Sequence, residues 1–151
     1  MKKQFKTFDE VKACVGQDVA SSPWFSVTQE QINLFAQATN DHQWIHIDKD
    51  KAAAGPFGTT IAHGFLTLSL LPQFFDKTIE VAEARMGVNY GLNKVRFMAP
   101  VLVGSRLRGH LHLHSATPIE GGMQVQWNVT IEREGSDKPV CVAESLARLY
   151  V

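Results

Sequence analysis

An aspartate and a histidine, Asp41 and His46, stand five residues apart in a stretch without helical or strand periodicity. Residues 39–46 contain neither proline nor glycine, so we expect a structured loop between two short helices. A carboxylate and an imidazole held together can divide a proton transfer between them, and such acid–base catalysis contributes roughly 10²–10⁴-fold in rate. From residue types alone, a turn-capping aspartate and a hydrogen-bonded loop histidine are the more common interpretation of such a pair.

A second candidate pair, His63 and Gly64, stands immediately before a strongly apolar segment. The first amides of a helix have no partner within it, and a glycine lets a ligand oxygen approach the backbone closely. The functional interpretation is an oxyanion hole formed by the Gly64 N–H, and loss of one such donor costs roughly 10²–10³-fold in rate. The alternative interpretation is a helix cap followed by a small packing residue.

Helices in the first half of the chain must position these candidates. Thr28 and Gln31 fit a capping box, which predicts a helix that ends just before the first candidate pair. Asp48 is expected to cap a further helical turn. Residues 64–71 are apolar nearly all round, which predicts a helix enclosed on most sides, and Pro72 is expected to kink it or end its regular part.

The second half of the chain has the period of β-strands. Two of its segments alternate strictly between apolar and polar side chains, which indicates strands with one face in water. Turn residues separate the segments and predict an antiparallel meander. The predicted strands cover residues 88–97, 106–114, 123–132 and 141–150.

The first predicted strand contains a change of phase. Its apolar positions up to Leu92 and from Val95 onward differ by one residue, which predicts a β-bulge near Asn93 or Lys94. A long sheet that curls round the apolar helix satisfies both patterns. We therefore expect an α+β fold in which residues 1–151 form one domain.

The composition of the 151 residues narrows the classes of partner. Fifteen basic and 15 acidic residues give a formal net charge of 0. Nucleic acids and anionic membranes select a surplus of positive charge, so neither is expected as a partner. The N-terminus lacks the apolar run of a signal peptide, and no apolar stretch is long enough to span a membrane.

Cysteines and histidines give no sign of redox or metal chemistry. Cys14 and Cys141 lie far apart and in no metal-like spacing, which favours reduced thiols in the cytoplasm. His110, His112 and His114 share one strand face, but no carboxylate or cysteine stands close to them in the sequence. No metal site is predicted.

Three blocks of sequence, in order, carry a likeness to a known family that extends over most of the chain. They are residues 35–48 (FAQATNDHQWIHID), 57–68 (FGTTIAHGFLTL) and 89–101 (NYGLNKVRFMAPV). The first resembles the hydratase motif of the MaoC-like dehydratases and (R)-specific enoyl-CoA hydratases. The second resembles the opening of that family's central helix and the third its following strand, particularly in the branch related to nodulation protein N.

The resemblance implies a hotdog fold, a homodimer and (R)-specific hydration of trans-2-enoyl thioesters of coenzyme A or an acyl carrier. No separate cofactor is implied, because coenzyme A is part of the substrate. By position, Asp41 and His46 are the catalytic pair and Gly64 supplies the oxyanion amide. Asp41 would remove a proton from water, while His46 would orient that water and help to deliver a proton to C2. Substrate contacts are expected from Gln43, Trp44, His63, Phe65 and Leu66.

The first block departs from the commonest form of the motif at two places. Asn40 replaces the glycine usual before the aspartate, and asparagine can keep the left-handed backbone conformation of that turn. Gln43 and Trp44 replace the usual Asn-Pro pair. Because a fold does not fix a function, a thioesterase and a non-catalytic acyl-thioester-binding protein remain alternatives.

Overall fold

The computed structural model describes residues 1–151 as an antiparallel sheet packed on a broken helix, which confirms the predicted α+β arrangement. The helices are α1 (Phe8–Lys12), α2 (Gln29–Thr39), α3 (Trp44–Ile47), α4 (Lys49–Ala53), α5 (Gly64–Ser69) and α6 (Leu71–Thr78). The strands are β1 (Lys3–Phe5), β2 (Asp18–Ser21), β3 (Phe25–Ser26), β4 (Ile79–Val81), β5 (Met86–Arg96), β6 (Arg106–Ile119), β7 (Gly122–Arg133) and β8 (Cys141–Tyr150).

The main sheet has the strand order β2-β6-β7-β8-β5, and β3 also pairs with β6. Strands β6, β7 and β8 form the predicted meander, but β5 pairs with β8 and not with β6. The prediction of a simple meander is therefore wrong for β5. The connection from β5 to β6 is tied to the residues before α5, since Ala62 N–H donates to Val101 O (2.8 Å) and Val103 N–H to Thr60 O (3.0 Å). A separate parallel pair, β1 with β4, was not predicted.

Strand β5 carries the predicted bulge. Its register with β8 shifts between Leu92 and Lys94, and a second shift lies between Asn89 and Gly91. Each bulge adds local twist to the strand. These irregularities help the sheet to curl round the helix.

The hydrophobic core lies between α5–α6 and the concave face of the sheet. Phe74 of α6 is fully buried, and its ring packs directly on Gly109 of β6. A Cβ at Gly109 would stand 2.8 Å from that ring, so the strand has a glycine where the helix crosses it. The core also contains Leu66, Leu70, Leu71, Leu107, Leu111, Val125, Trp127, Val129 and Ile131.

The central helix is less enclosed than its sequence predicts. Leu70 separates α5 from α6, consistent with the expected effect of Pro72, but Phe65 of α5 is 69% exposed. Apolar side chains of β5 and of the residues just after β5 are also exposed, beside Phe65. We call this set the β5 surface: Phe65, Met86, Val88, Tyr90, Leu92, Phe97 and Met98. Because β5 pairs on one side only, its other edge presents unpaired main-chain groups.

Both cysteines are free thiols, as predicted. Cys141 is fully buried, and this burial raises the pKa of its thiol to about 11. Cys14 is partly exposed. No helix of the chain has the length and apolar character needed to cross a membrane.

Candidate active site

The end of α2 positions Asp41. Thr28 caps the helix by accepting a hydrogen bond from Gln31 N–H (3.2 Å), as predicted. The helix ends at Asn40, whose φ of 60° and ψ of 29° are left-handed, so this departure from the family motif preserves the turn. The main-chain oxygen of Asp41 then accepts a hydrogen bond from His63 Nε2–H (3.0 Å). The Asp41 side chain stays 51% exposed.

His46 lies in the one-turn helix α3 and not in the loop that the sequence predicts. Because Ile61 O can only accept, His46 Nδ1 carries the proton of their 2.7 Å hydrogen bond. The main chain is held as well, since Ile61 N–H donates to Ile45 O (3.0 Å) and Gln29 Nε2 donates to His46 O (2.8 Å). In neutral His46, Nε2 therefore carries the free lone pair.

His63 lies behind His46. The two imidazoles stack with their centroids 3.8 Å apart and their planes 23° apart. Phe35 also lies against His63, with the ring centroids 4.9 Å apart. His63 is only 2% exposed, and its buried Nδ1 has no hydrogen-bond partner. This burial argues against the expected contact between His63 and substrate.

The environment of His46 favours its neutral form. Burial is the largest cause that lowers the pKa of His46 below its ordinary value of 6.5, and the adjacent His63 lowers it further. The hydrogen bond to Ile61 and the carboxylate of Asp41 act in the opposite direction, but they do not cancel the shift.

The site contains three side chains of the metal-binding type. A carboxylate oxygen of Asp41 and one nitrogen each from His46 and His63 lie within 4.8 Å of one another. The lone pairs of metal ligands must point to one common position. The nitrogen lone pairs of His46 and His63 lie instead in the planes of two stacked rings, which are only 23° apart. His63 Nε2 also carries the proton of its bond to Asp41. The arrangement fits proton transfer better than metal ligation.

Gly64, the first residue of α5, has an N–H that meets no acceptor within the chain. The ring of Phe97 covers its Cα, and a Cβ there would stand 3.0 Å from that ring. Gly64 and His46 both line one cavity of about 390 Å³. The other lining residues are mostly apolar and include Ile45, Phe57, Phe97 and Met98.

Comparison with known proteins accounts for this arrangement. A family model described as MaoC like domain matches residues 10–134. The chain belongs to the MaoC-like dehydratase family. It is 52% identical over 145 residues to 3-hydroxyacyl-thioester dehydratase Z of Mycobacterium tuberculosis, a match that covers 95% of this chain and 96% of that protein. It is 43% identical over 144 residues to nodulation protein N of Rhizobium meliloti, covering 93% and 89%.

Solved structures of MaoC-like and related proteins share the fold. An R-hydratase from Pseudomonas aeruginosa in its unliganded form superposes with a TM-score of 0.73 at 22% identity, covering 95% of this chain and 85% of that one. The (R)-hydratase from A. caviae involved in PHA biosynthesis gives a TM-score of 0.67 at 21% identity, covering 89% and 96%. The predicted hotdog fold is confirmed, and membership of the MaoC-like dehydratases supports a hydro-lyase activity.

The remaining predicted contacts of this MaoC-like dehydratase do not line the cavity beside Gly64. Gln43 is exposed at the start of α3, and Phe65 belongs to the β5 surface. Trp44 packs on a turn, where a Cβ at Gly55 would stand 2.9 Å from the indole. Leu66 is 5% exposed and belongs to the core, because its side of α5 packs against the sheet.

The structure also adds residues that the sequence did not single out. Phe97 lies within the third family block, but its contact with Gly64 joins two distant segments and has no local signal. Gln29 bonds both His46 O and Thr60 Oγ1 and so links α2 to His46. As the first residue of α2, it reads in the sequence as an ordinary helix-forming residue.

The histidines of β6 have carboxylate partners that their local sequence does not show. His110 Nε2 lies 2.6 Å from Glu132 Oε2, and His112 Nδ1 lies 2.8 Å from Asp18 Oδ1. The hydrogen bond from His110 is the largest cause that lowers the pKa of Glu132. No carboxylate stands near these histidines in the sequence, and it is the neighbouring strands that supply the partners. His110 and His112 bond different carboxylates, which indicates cross-strand pairing and not a shared ligand.

Proposed function

We propose that this MaoC-like dehydratase is an (R)-specific enoyl-CoA hydratase, which adds water to trans-2-enoyl thioesters and catalyses the reverse dehydration. One observation carries the proposal: the Asp41 carboxylate and a His46 ring nitrogen lie within 4.8 Å of each other, and His46 shares a cavity with the unpaired amide of Gly64. The relative named a 3-hydroxyacyl-thioester dehydratase supports a thioester substrate. The (R) configuration and coenzyme A as carrier follow from the family resemblance.

The geometry suits one bound water molecule. Two acceptors that each bond a water at about 2.8 Å, with a near-tetrahedral angle between them, stand about 4.6 Å apart. His46 offers Nε2 because its Nδ1–H is held by Ile61 O, and Asp41 offers a carboxylate oxygen. With both O–H bonds directed to acceptors, a lone pair of the water oxygen is free to attack C3 of the enoyl group.

The proton balance then follows. As the water oxygen bonds to C3, one of its protons passes to the Asp41–His46 pair, and the π electrons move toward the thioester carbonyl. Gly64 N–H stabilises the negative charge on that carbonyl oxygen. The enolate collapses by taking a proton at C2 from the same pair, so both additions occur on one face and the hydration is syn. The two groups titrate as a coupled unit and share this proton.

A second copy of the chain is proposed as the partner. The β5 surface combines exposed apolar side chains with an unpaired strand edge, and a neutral chain has little repulsion between copies. A homodimer joined along β5 would cover both features. The two free cysteines support a reducing, cytoplasmic location for the enzyme.

Hydration of crotonyl-CoA, followed as loss of the enoyl absorbance, tests the proposed activity. Asp41→Asn and His46→Ala should fold normally and lose at least 10²-fold in kcat, because the first removes the basic carboxylate and the second removes the imidazole that accepts a hydrogen bond from the attacking water. His114→Ala, at an exposed position of β6, is the matched control and should keep full activity. Chiral analysis of the product should give (R)-3-hydroxybutyryl-CoA.

Other outcomes would overturn the proposal. Near-wild-type hydration by both site variants would remove the assigned residues from the reaction. Release of free thiol without loss of enoyl absorbance would indicate a thioesterase. Tight acyl-CoA binding without turnover, over several chain lengths, would indicate a non-catalytic binding protein.

A further inference from the structure

We propose that His63 is a positioning residue, which fixes the Asp41 backbone and holds His46 in place without touching the substrate. The inference rests on the proposed function, because it assigns His63 a task in the same site. It replaces the substrate contact that the sequence suggested for this residue.

Burial excludes direct contact. His63 is 2% exposed and does not line the cavity shared by His46 and Gly64. Its ring is enclosed by His46 on one side and by Phe35 of α2 on another. A substrate that enters the cavity therefore contacts the imidazole of His46 and not that of His63.

One bond and one stacking contact connect His63 to both catalytic groups. Its Nε2–H donates to the main-chain oxygen of Asp41 at 3.0 Å, which anchors the residue next to the left-handed turn at Asn40. Its ring stacks on that of His46, with the centroids 3.8 Å and the planes 23° apart. A single side chain thus sets the separation of the carboxylate and the imidazole, and a misplacement of about 1 Å in such a site can cost about 10²-fold in rate.

The ring is kept despite an energetic penalty. Nδ1 of His63 is the one buried side-chain nitrogen or oxygen without a hydrogen-bond partner. Removal from water without a replacement bond is unfavourable for a polar atom. An apolar ring of similar shape would avoid that penalty and keep the stacking, but it would lose the hydrogen bond to Asp41 O, so this bond is what a histidine adds here.

His63 also acts on His46 electrostatically. The titratable groups whose charges affect His46 are Asp41, on the loop after α2, and His63, at the start of α5. A positive charge on His63 opposes protonation of the ring stacked on it. The neighbour thereby helps His46 to stay a neutral acceptor, in addition to the larger contribution of burial.

Two variants separate the hydrogen bond from the ring. His63→Gln keeps an N–H donor near the position of Nε2, whereas His63→Phe keeps an aromatic ring and loses the donor. With crotonyl-CoA, we expect the Phe variant to lose at least about tenfold in kcat with KM changed less than about threefold. The Gln variant should recover most of that loss. His63→Phe removes the unpaired nitrogen but also the hydrogen bond to Asp41 O, so its melting temperature should change little.

Nuclear magnetic resonance of the histidine rings gives a readout independent of turnover. In wild type, His46 should be the Nδ1–H tautomer and His63 the Nε2–H tautomer. Both His63 variants should raise the pKa of His46, because neither replacement side chain can carry the positive charge that opposes protonation of His46, and the acid limb of kcat should move to higher pH with it. His114→Gln is the control and should leave His46 and the rate unchanged.

The outcomes are distinguishable from failure of the proposed function. If wild type does not hydrate enoyl thioesters, the proposed function fails, and the tautomers and the titration of His46 still test the placement of His63. If wild type is active but His63→Phe keeps full kcat, or if neither variant shifts His46, the positioning role is wrong. Equal losses of stability and activity in both variants would show a purely structural role.

Discussion

At the scale of single residues, the proposed oxyanion role of the Gly64 N–H can be tested by substitution of Gly64 itself. His63 has φ −58° and ψ 139°, a conformation that is favoured before proline, and proline is well tolerated at the first position of a helix. Gly64→Pro therefore removes the N–H with little change to the backbone. We expect it to lower kcat for crotonyl-CoA by about 10²–10³-fold relative to the control variant.

Gly64→Ala is that control, because it keeps the N–H while adding the same Cβ against the Phe97 ring. Its own loss of rate reports the displacement of Phe97. Equal rates for the alanine and proline variants would show that the amide does not stabilise the transition state.

The lowered pKa of His46 predicts a pH dependence of stability. The unfolded chain takes up a proton on His46 near pH 6.5, whereas the folded chain resists protonation until the pH is lower. This contribution to stability is fully present above pH 6.5 and is lost as the pH falls through the folded value. Urea unfolding should show that His46→Gln loses less stability than wild type between about pH 7.5 and pH 5. An identical slope in both proteins would contradict the shift.

Local sequence indicated Asp41, His46 and the cap residues, because acid–base pairs and helix caps depend on residue types at short spacing. It did not indicate which of the two histidines, His46 or His63, lies deeper in the protein. His46 and His63 are 17 positions apart, and which ring faces the cavity depends on the packing of α2, α3 and α5. The contact between Phe97 and Gly64 escaped prediction for the same reason.

At the scale of elements, the crossing of α6 over β6 depends on a missing side chain. A Cβ at Gly109 would stand 2.8 Å from the fully buried ring of Phe74, so Gly109→Ala must displace the helix or strain the strand. Overpacking of this kind costs about 1–3 kcal/mol, and we expect that loss in the free energy of unfolding measured with urea.

Gly91 of β5 provides the matched control. It is also a strand glycine, but a Cβ there meets nothing within 4 Å. Gly91→Ala should therefore leave stability nearly unchanged or raise it slightly, since alanine restricts the unfolded chain more than glycine. If both variants were destabilised to a similar extent, the effect at Gly109 would come from replacing a strand glycine and not from the contact with Phe74.

The long strands and the broken central helix could be predicted because their periods extend over many residues. The bulge near Lys94 was also visible, since a change of phase is a local signal. The partner of β5 could not be predicted, because β6 and β8 offer β5 the same kind of alternating inner face. The choice between them depends on how residues 97–105 pack against the residues before α5. The single turn of α3 is too short to have a period of its own.

At the scale of the whole molecule, the β5 surface predicts association. Phe65→Glu places a charge in the proposed contact between copies and should shift the chain from dimer to monomer in sedimentation experiments. Leu34→Glu is the control, since Leu34 of α2 is an exposed apolar residue (59%) outside the β5 surface. A monomeric wild type, or dissociation by both variants alike, would refute pairing along β5.

The buried thiol of Cys141 makes local opening of the sheet measurable through its rate of alkylation. With its pKa near 11 and no exposed area, it forms almost no thiolate and meets no reagent while β7 and β8 remain paired. Alkylation of Cys141 therefore proceeds only when this end of the β7–β8 pair opens, so its rate measures how often that opening occurs under native conditions. Cys14, which is partly exposed, reacts without that opening and serves as the internal reference.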